Sequence, residues 1–174
     1  MKDERLNKLT RAAVLSALTA VATIAVPVPL PGGGYANAGD IVVLLSAFIL
    51  GPGLGAAAAG IGSALADVIL GYTAYAPGTL VIKAAMAAAA GALYALCTRR
   101  TKSAPASVAA GLAGEIVMVL GYYGYEALIM QNAAAAAVGM VPNLLQGAVG
   151  LAGSSILLPV VNKIAFGKRK TGEA

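Results

Sequence analysis

Histidine and tryptophan are absent from this chain, cysteine occurs once, and charged residues make up only 11% of it. Without His there is no Ser-His-Asp or Cys-His catalytic pair and no imidazole metal site. The lone Cys97 excludes an internal disulfide and a thiolate cluster. No G-x-x-x-x-G-K-[ST] run occurs, so the chain has no P-loop of its own for ATP hydrolysis. No catalytic residue, metal or cofactor is expected.

What the chain has instead is apolar length. Hydrophobic residues reach 59% over 174 positions, and mean hydropathy is +0.83. Soluble domains sit near roughly 45–50% apolar and about 25% charged, so a water-soluble globule is excluded. A membrane span takes roughly 20 apolar residues, which leaves room for a few crossings and no separate extramembrane domain. Twenty-two glycines and abundant alanine suit helices that approach closely through small side chains. The expectation is an all-α integral membrane protein: residues 1–174 form one transmembrane domain, a compact bundle of six helices.

The six apolar runs cover about residues 12–26, 40–50, 55–70, 78–96, 106–130 and 141–166. The first ends at Pro27 and the following Pro- and Gly-rich stretch, which no helix continues through. Gly51, Pro52, Gly53 and Gly55 separate the second from the third, and the second is short. Leu6 and Leu9 can extend the first run inward. A basic start followed by Ala36, Asn37 and Ala38 also fits a signal peptide, but Asp3 and Glu4 weaken that reading.

Charge tests the count. With both termini inside, Lys or Arg at 2, 5, 8, 11, 99, 100, 102, 163, 168, 169 and 170 all lie at cytoplasmic ends, and the outer connections near 27–39, 71–77 and 131–140 have none. The exception is Lys83. The net charge of +5 is thereby explained by membrane orientation, and nucleic acid is not an expected partner. Six of the seven tyrosines, at 35, 72, 75, 122, 123 and 125, fall at outer ends. An interfacial aromatic belt would populate both faces, so this asymmetry favours an outward-facing polar site.

Ionisable residues at span depth are costly and therefore mark function. Asp67 and Lys83 stand at similar depth, roughly 6–9 Å below the outer boundary at 1.5 Å per residue, which suggests an ion pair between neighbouring helices. Whether such a pair serves only the fold or also a ligand stays open. Asp40 is read as capping the second helix. Glu115, Tyr122 and Glu126, spaced by seven and four, share one helix face, the latter two each within about 20° of Glu115. Asn143, Gly147, Gly150 and Ser154 line one face of the sixth helix, with Gln146 beside them. Tyr122, Glu126, Asn143 and Gln146 therefore converge near the outside as candidate ligand contacts. On the first helix, Ala13 and Ala17 form a small-xxx-small face suited to another helix, in the bundle or in a partner.

Tyr35, Ala36, Asn37, Ala38, Gly39 and Asp40, then residues 51–55, then Gly62 to Asp67 with Gly71 and Tyr72, and finally Thr79 to Lys83 together resemble a known pattern. It is that of the substrate-binding S components of energy-coupling factor (ECF) vitamin transporters, particularly the riboflavin-type and hydroxymethylpyrimidine-type branch. The resemblance implies a small-molecule vitamin or precursor as ligand, captured at the outer face of a bacterial-type cell membrane. It also implies a transmembrane coupling (T) subunit and two ABC ATPase subunits as partners. Carried to matching positions, it suggests Asn37 and Lys83 near ligand, and Ala13 and Ala17 at the coupling subunit. Missing Trp departs from members whose pockets stack rings on indole, which argues against a thiamine-like or biotin-like ligand. The alternative is an autonomous proton-coupled carrier using Glu115 and Glu126. An integral membrane enzyme is disfavoured by the missing His and the missing D-x-x-D motif.

Overall fold

The computed structural model describes residues 2–29 and 34–166. Its elements are α1 (Lys2–Ala25), β1 (Val28–Pro29), β2 (Tyr35–Ala36), α2 (Gly39–Leu70), α3 (Ala76–Cys97), α4 (Ser103–Met130), α5 (Ala133–Val138) and α6 (Met140–Phe166). The strands form one antiparallel two-residue ladder, pairing Val28 with Ala36 and Pro29 with Tyr35. The other regular elements are helices. Five segments, Asp3–Ala25, Gly39–Leu70, Ala76–Cys97, Ser103–Met130 and Ala133–Ile164, are long and apolar enough to cross a membrane. The basic tail at 168–170 and part of the first connection, 30–33, lie outside the described residues.

Local chemistry sets the helix ends. The Asn37 side chain accepts from the Gly39 amide at 2.8 Å and so satisfies a free N–H at the start of α2. Gly71 closes α2 in the left-handed region, φ 85°, while the Tyr72 amide reaches back to the Asp67 carbonyl at 2.8 Å. Pro77 stands in the first turn of α3, where a missing N–H costs nothing. The stretch 131–140, expected as a plain connection, holds the short α5, whose N-cap Asn132 accepts from the Ala135 amide at 3.1 Å.

The second and third apolar runs join as α2, with a sharp bend between them. Gly51 leaves helical geometry at φ 78° and ψ 179°, and Pro52 follows it. A Cβ placed on Gly55 would lie 2.8 Å from the Ala47 Cα. Eight residues of straight helix would separate those positions by about 12 Å. The chain therefore folds back on itself at Gly51. Gly91 of α3 fits into this bend, since a Cβ there would stand 2.9 Å from the Pro52 nitrogen.

The first half of α2 becomes the centre of the bundle. Val43, Leu44 and Ala47 are fully buried there against Met86 and Ala90 of α3 and Met118 of α4. Glycines of α4 and α6 let this segment come close, Gly111 meeting Leu44 and Gly153 meeting Ile41. Around this core the polarity is the reverse of a soluble protein. Leu18, Leu65, Val81, Leu112, Ile116, Leu144 and Ile156 are exposed, whereas Asp40, Lys83, Asp67, Glu115, Glu126, Asn143 and Gln146 are buried. Such an exterior needs lipid around it.

Candidate functional site

One end of the bundle gathers the polar side chains. Thr23 near the end of α1, Ser63 and Asp67 near the end of α2, Thr79 and Lys83 near the start of α3, Tyr122 and Glu126 near the end of α4, and Asn143 and Gln146 near the start of α6 line a common pocket. Gly34, Tyr35 and Asn37 of the α1–α2 connection and Tyr75 before α3 complete it. As folded, the cavity is about 20 Å³, room for about one water. Tyr35 and Tyr75 of the lining belong to a row of four tyrosines in ring contact. Tyr35 lies 4.6 Å from Tyr72 between ring centroids, Tyr72 lies 6.4 Å from Tyr75, and Tyr75 lies 6.2 Å from Tyr125.

All six ligand contacts expected from sequence, Asn37, Lys83, Tyr122, Glu126, Asn143 and Gln146, face this pocket. Their bonding corrects two expectations. Lys83 is not paired with Asp67: its ammonium forms the ion pair with Asp40, and both groups are buried. The reason is the bend at Gly51, which carries the start of α2 into the bundle centre beside α3. Asp40 consequently does not cap its helix, where no side-chain cap bond forms. Its other oxygen accepts from Gln146 Nε2 at 2.6 Å, and Gln146 Oε1 accepts from the Asn37 amide at 2.8 Å. A charge-assisted chain thus ties α3, α2, α6 and the first connection together.

Asp67 belongs to a separate cluster. Its Oδ1 accepts from the Tyr35 hydroxyl at 2.6 Å, which closes the connection over the pocket. Burial, then the hydrogen bond to Asp67, push the Tyr35 phenol above its usual range, so it stays a donor at neutral pH. Tyr122 donates to Thr79 Oγ1 at 3.0 Å, and Thr79 stands beside Asp67. The Lys83 ammonium lies 5.4 Å from the centroid of the Tyr122 ring, within cation–π range. Glu126 is enclosed by two glycines: a Cβ on Gly139 would fall 2.5 Å from Oε2, and one on Gly34 would fall 3.5 Å from Oε1.

Glu115 departs from the stripe it shares with Tyr122 and Glu126. It is buried, faces Gly147 and Gly150 of α6, and has no hydrogen-bond partner on either oxygen among the described residues. It lines a second, apolar cavity of about 360 Å³ between α4 and α6. Ala13 and Ala17 line neither cavity and are exposed on α1. Sequence reasoning missed Thr23, Ser63, Tyr75 and Thr79 as pocket residues. The available signal was polar residues recurring at i and i+4, Thr19 with Thr23 and Ser63 with Asp67, on otherwise apolar helices. Among the described residues no group of three or more Cys, Asp or Glu could hold a metal ion.

Comparison with known proteins bears on this geometry. Residues 4–163 match the family described as ECF-type riboflavin transporter, S component. The chain belongs to that family. A protein of Pyrococcus woesei, described as an uncharacterized protein in gap 3′ region, is 43% identical to this S component over 103 residues, which is 59% of this chain. The match spans 66% of that relative, just under two thirds of its length. Two solved structures share the fold. The S-component for biotin from an ECF-type ABC transporter superposes with a TM-score of 0.68 at 16% identity, covering 99% of this chain and 95% of that one. The S component of a bacterial ECF transporter superposes with a TM-score of 0.66 at 22% identity, covering 95% and 99% respectively.

Proposed function

We propose that this S component captures a small water-soluble vitamin or vitamin precursor from the outer side of the cell membrane, for import powered by separate subunits. The observation that carries the reading is the convergence of five helix ends on one polar pocket, at the end of the bundle opposite the exposed Arg5, Lys8, Arg99, Arg100 and Lys102. By the positive-inside rule that pocket faces out. Counting α1, the two halves of α2, α3, α4 and α6 gives six crossings with both termini inside. A heteroaromatic ligand suits this row of tyrosines, which would part and stack on it. Lys83, Glu126, Asn143 and Gln146 would fix its orientation.

Energy must come from elsewhere, because the chain has no P-loop. A transmembrane coupling subunit with two ABC ATPases fits, and the exposed Ala13 and Ala17 face of α1 offers a flat helix-packing surface for it. Uptake of labelled riboflavin, pyridoxine or hydroxymethylpyrimidine is expected in cells that supply the coupling and ATPase proteins, and not when the chain is expressed without them. The competing reading is an autonomous proton-coupled carrier using Glu115 and Glu126. Transport by the purified chain alone in liposomes, driven by a pH gradient and abolished in Glu115→Gln, would establish that reading and overturn this one.

A further inference from the structure

Thr23 Oγ1, Ser63 Oγ and Asp67 Oδ2 line the pocket, are buried, and have no hydrogen-bond partner among the described residues. The three residues are 2–3% exposed. Buried polar groups are normally satisfied, so three orphans on one wall need an explanation. The wall is held by close packing of α1 on the second half of α2: a Cβ on Gly62 would collide with the Ser16 carbonyl and stand 2.9 Å from the Thr19 Cβ. Thr23, one turn beyond Thr19 on α1, and Ser63 and Asp67 of α2 line the same pocket. Ser63 and Asp67, four apart on one helix, present a hydroxyl and a carboxylate side by side.

Chemistry defines what fits. A carboxylate oxygen only accepts, and each hydroxyl can accept as well as donate. The ion pair engages the Lys83 ammonium with Asp40 rather than with Asp67. Resting on the proposed role of this pocket, we infer that Thr23, Ser63 and Asp67 form a subsite for the hydrogen-bond-donating tail of the ligand, either clustered hydroxyls or a protonated amine. The aromatic body of the ligand then lies toward Tyr122 and the row of tyrosines. The subsite sets specificity, because an analogue without donors leaves the three groups unpaired in the bound state, as they are in the free protein.

The test uses purified full chain in detergent and two matched pairs of probes. Riboflavin differs from lumiflavin by its hydroxylated tail, and pyridoxamine differs from pyridoxal by its amine, so the pairs separate the two sources of donors. In the wild type, the donor-bearing member of at least one pair is expected to bind about tenfold tighter or more. Ser63→Ala and Thr23→Val should bring that ratio close to one, and Asp67→Asn should weaken it where the donor is an amine. The ligand-free thermal midpoint of Ser63→Ala and Thr23→Val should stay level or rise, because an unpartnered buried hydroxyl has been removed. A purely structural role predicts the opposite, a lowered midpoint. Equal binding within both pairs, or a ratio that survives the hydroxyl variants, overturns the subsite and leaves the transport role standing. Failure of the folded wild type to bind any probe overturns both. Should Asp67→Asn not fold, the two hydroxyl variants decide the question alone.

Discussion

The pocket has two walls of different character. Where α3, α6 and the start of α2 meet, Lys83, Asp40, Gln146 and the Asn37 amide form a closed chain of bonds. Where α1 meets the end of α2, Thr23, Ser63 and one oxygen of Asp67 have no partner among the described residues. A buried ion pair supported by further hydrogen bonds fixes the register of the helices it joins, whereas a buried polar group with no partner is costly unless something else completes it. One wall is scaffold and the other is receptor. Lys83 and Gln146 thus line the pocket while bonded within the scaffold wall.

Breaking the scaffold wall should have the largest effect. Lys83→Ala leaves Asp40 buried and unpaired, and about 3–5 kcal/mol of stability should be lost. Loss of monodisperse protein in size exclusion would report it, and the double variant Asp40→Asn with Lys83→Met should recover much of the yield. Gly62→Val comes next, because its side chain would enter the Ser16 carbonyl and push α1 from α2. About 1–3 kcal/mol of destabilisation is expected, with weaker ligand binding as Thr23 moves away. A thermal midpoint that does not change would contradict the close α1–α2 contact.

Smaller effects should follow away from the pocket. Glu115→Gln replaces a carboxyl that lines the α4–α6 cavity and not the ligand pocket, so affinity measured by titration should change less than in the scaffold variants, although Glu115 and Asp40 meet at Gly150. Ala17→Leu lies on the exposed face of α1 and should change stability of the isolated protein by no more than about 0.5 kcal/mol. Coupled uptake should nonetheless fall in Ala17→Leu, since the bulk intrudes on the surface proposed for the coupling subunit. Unimpaired uptake would place that interface elsewhere.

The helices were legible because long apolar runs and the prolines and glycines between them carry strong signals, and all six ligand candidates do reach the pocket. Polar residues in apolar spans are few, so each stands out. Their pairing was less legible. Asp67 and Lys83 match in depth along their helices, yet Asp40 takes the lysine because the turn at Gly51 returns the chain and centres the first half of α2. Depth is one coordinate, and lateral position depends on that turn. Thr23 and Ser63 escaped notice for another reason, since small hydroxyl residues are common in helix packing and announce a ligand only when seen without partners. Alpha-helical α5 was hidden in an alanine run too short to read as a span, although Asn132 before it is a good N-cap.

The most direct measurement is a titration of riboflavin, pyridoxamine and hydroxymethylpyrimidine into the purified protein, with Gln146→Ala and Ser63→Ala run beside the wild type. Saturable one-to-one binding of at least one of them is expected. Ser63→Ala should weaken that binding without lowering the ligand-free thermal midpoint, while Gln146→Ala should lower the midpoint. Absence of saturable binding to folded wild-type protein, or equal behaviour of the two variants, would contradict this reading.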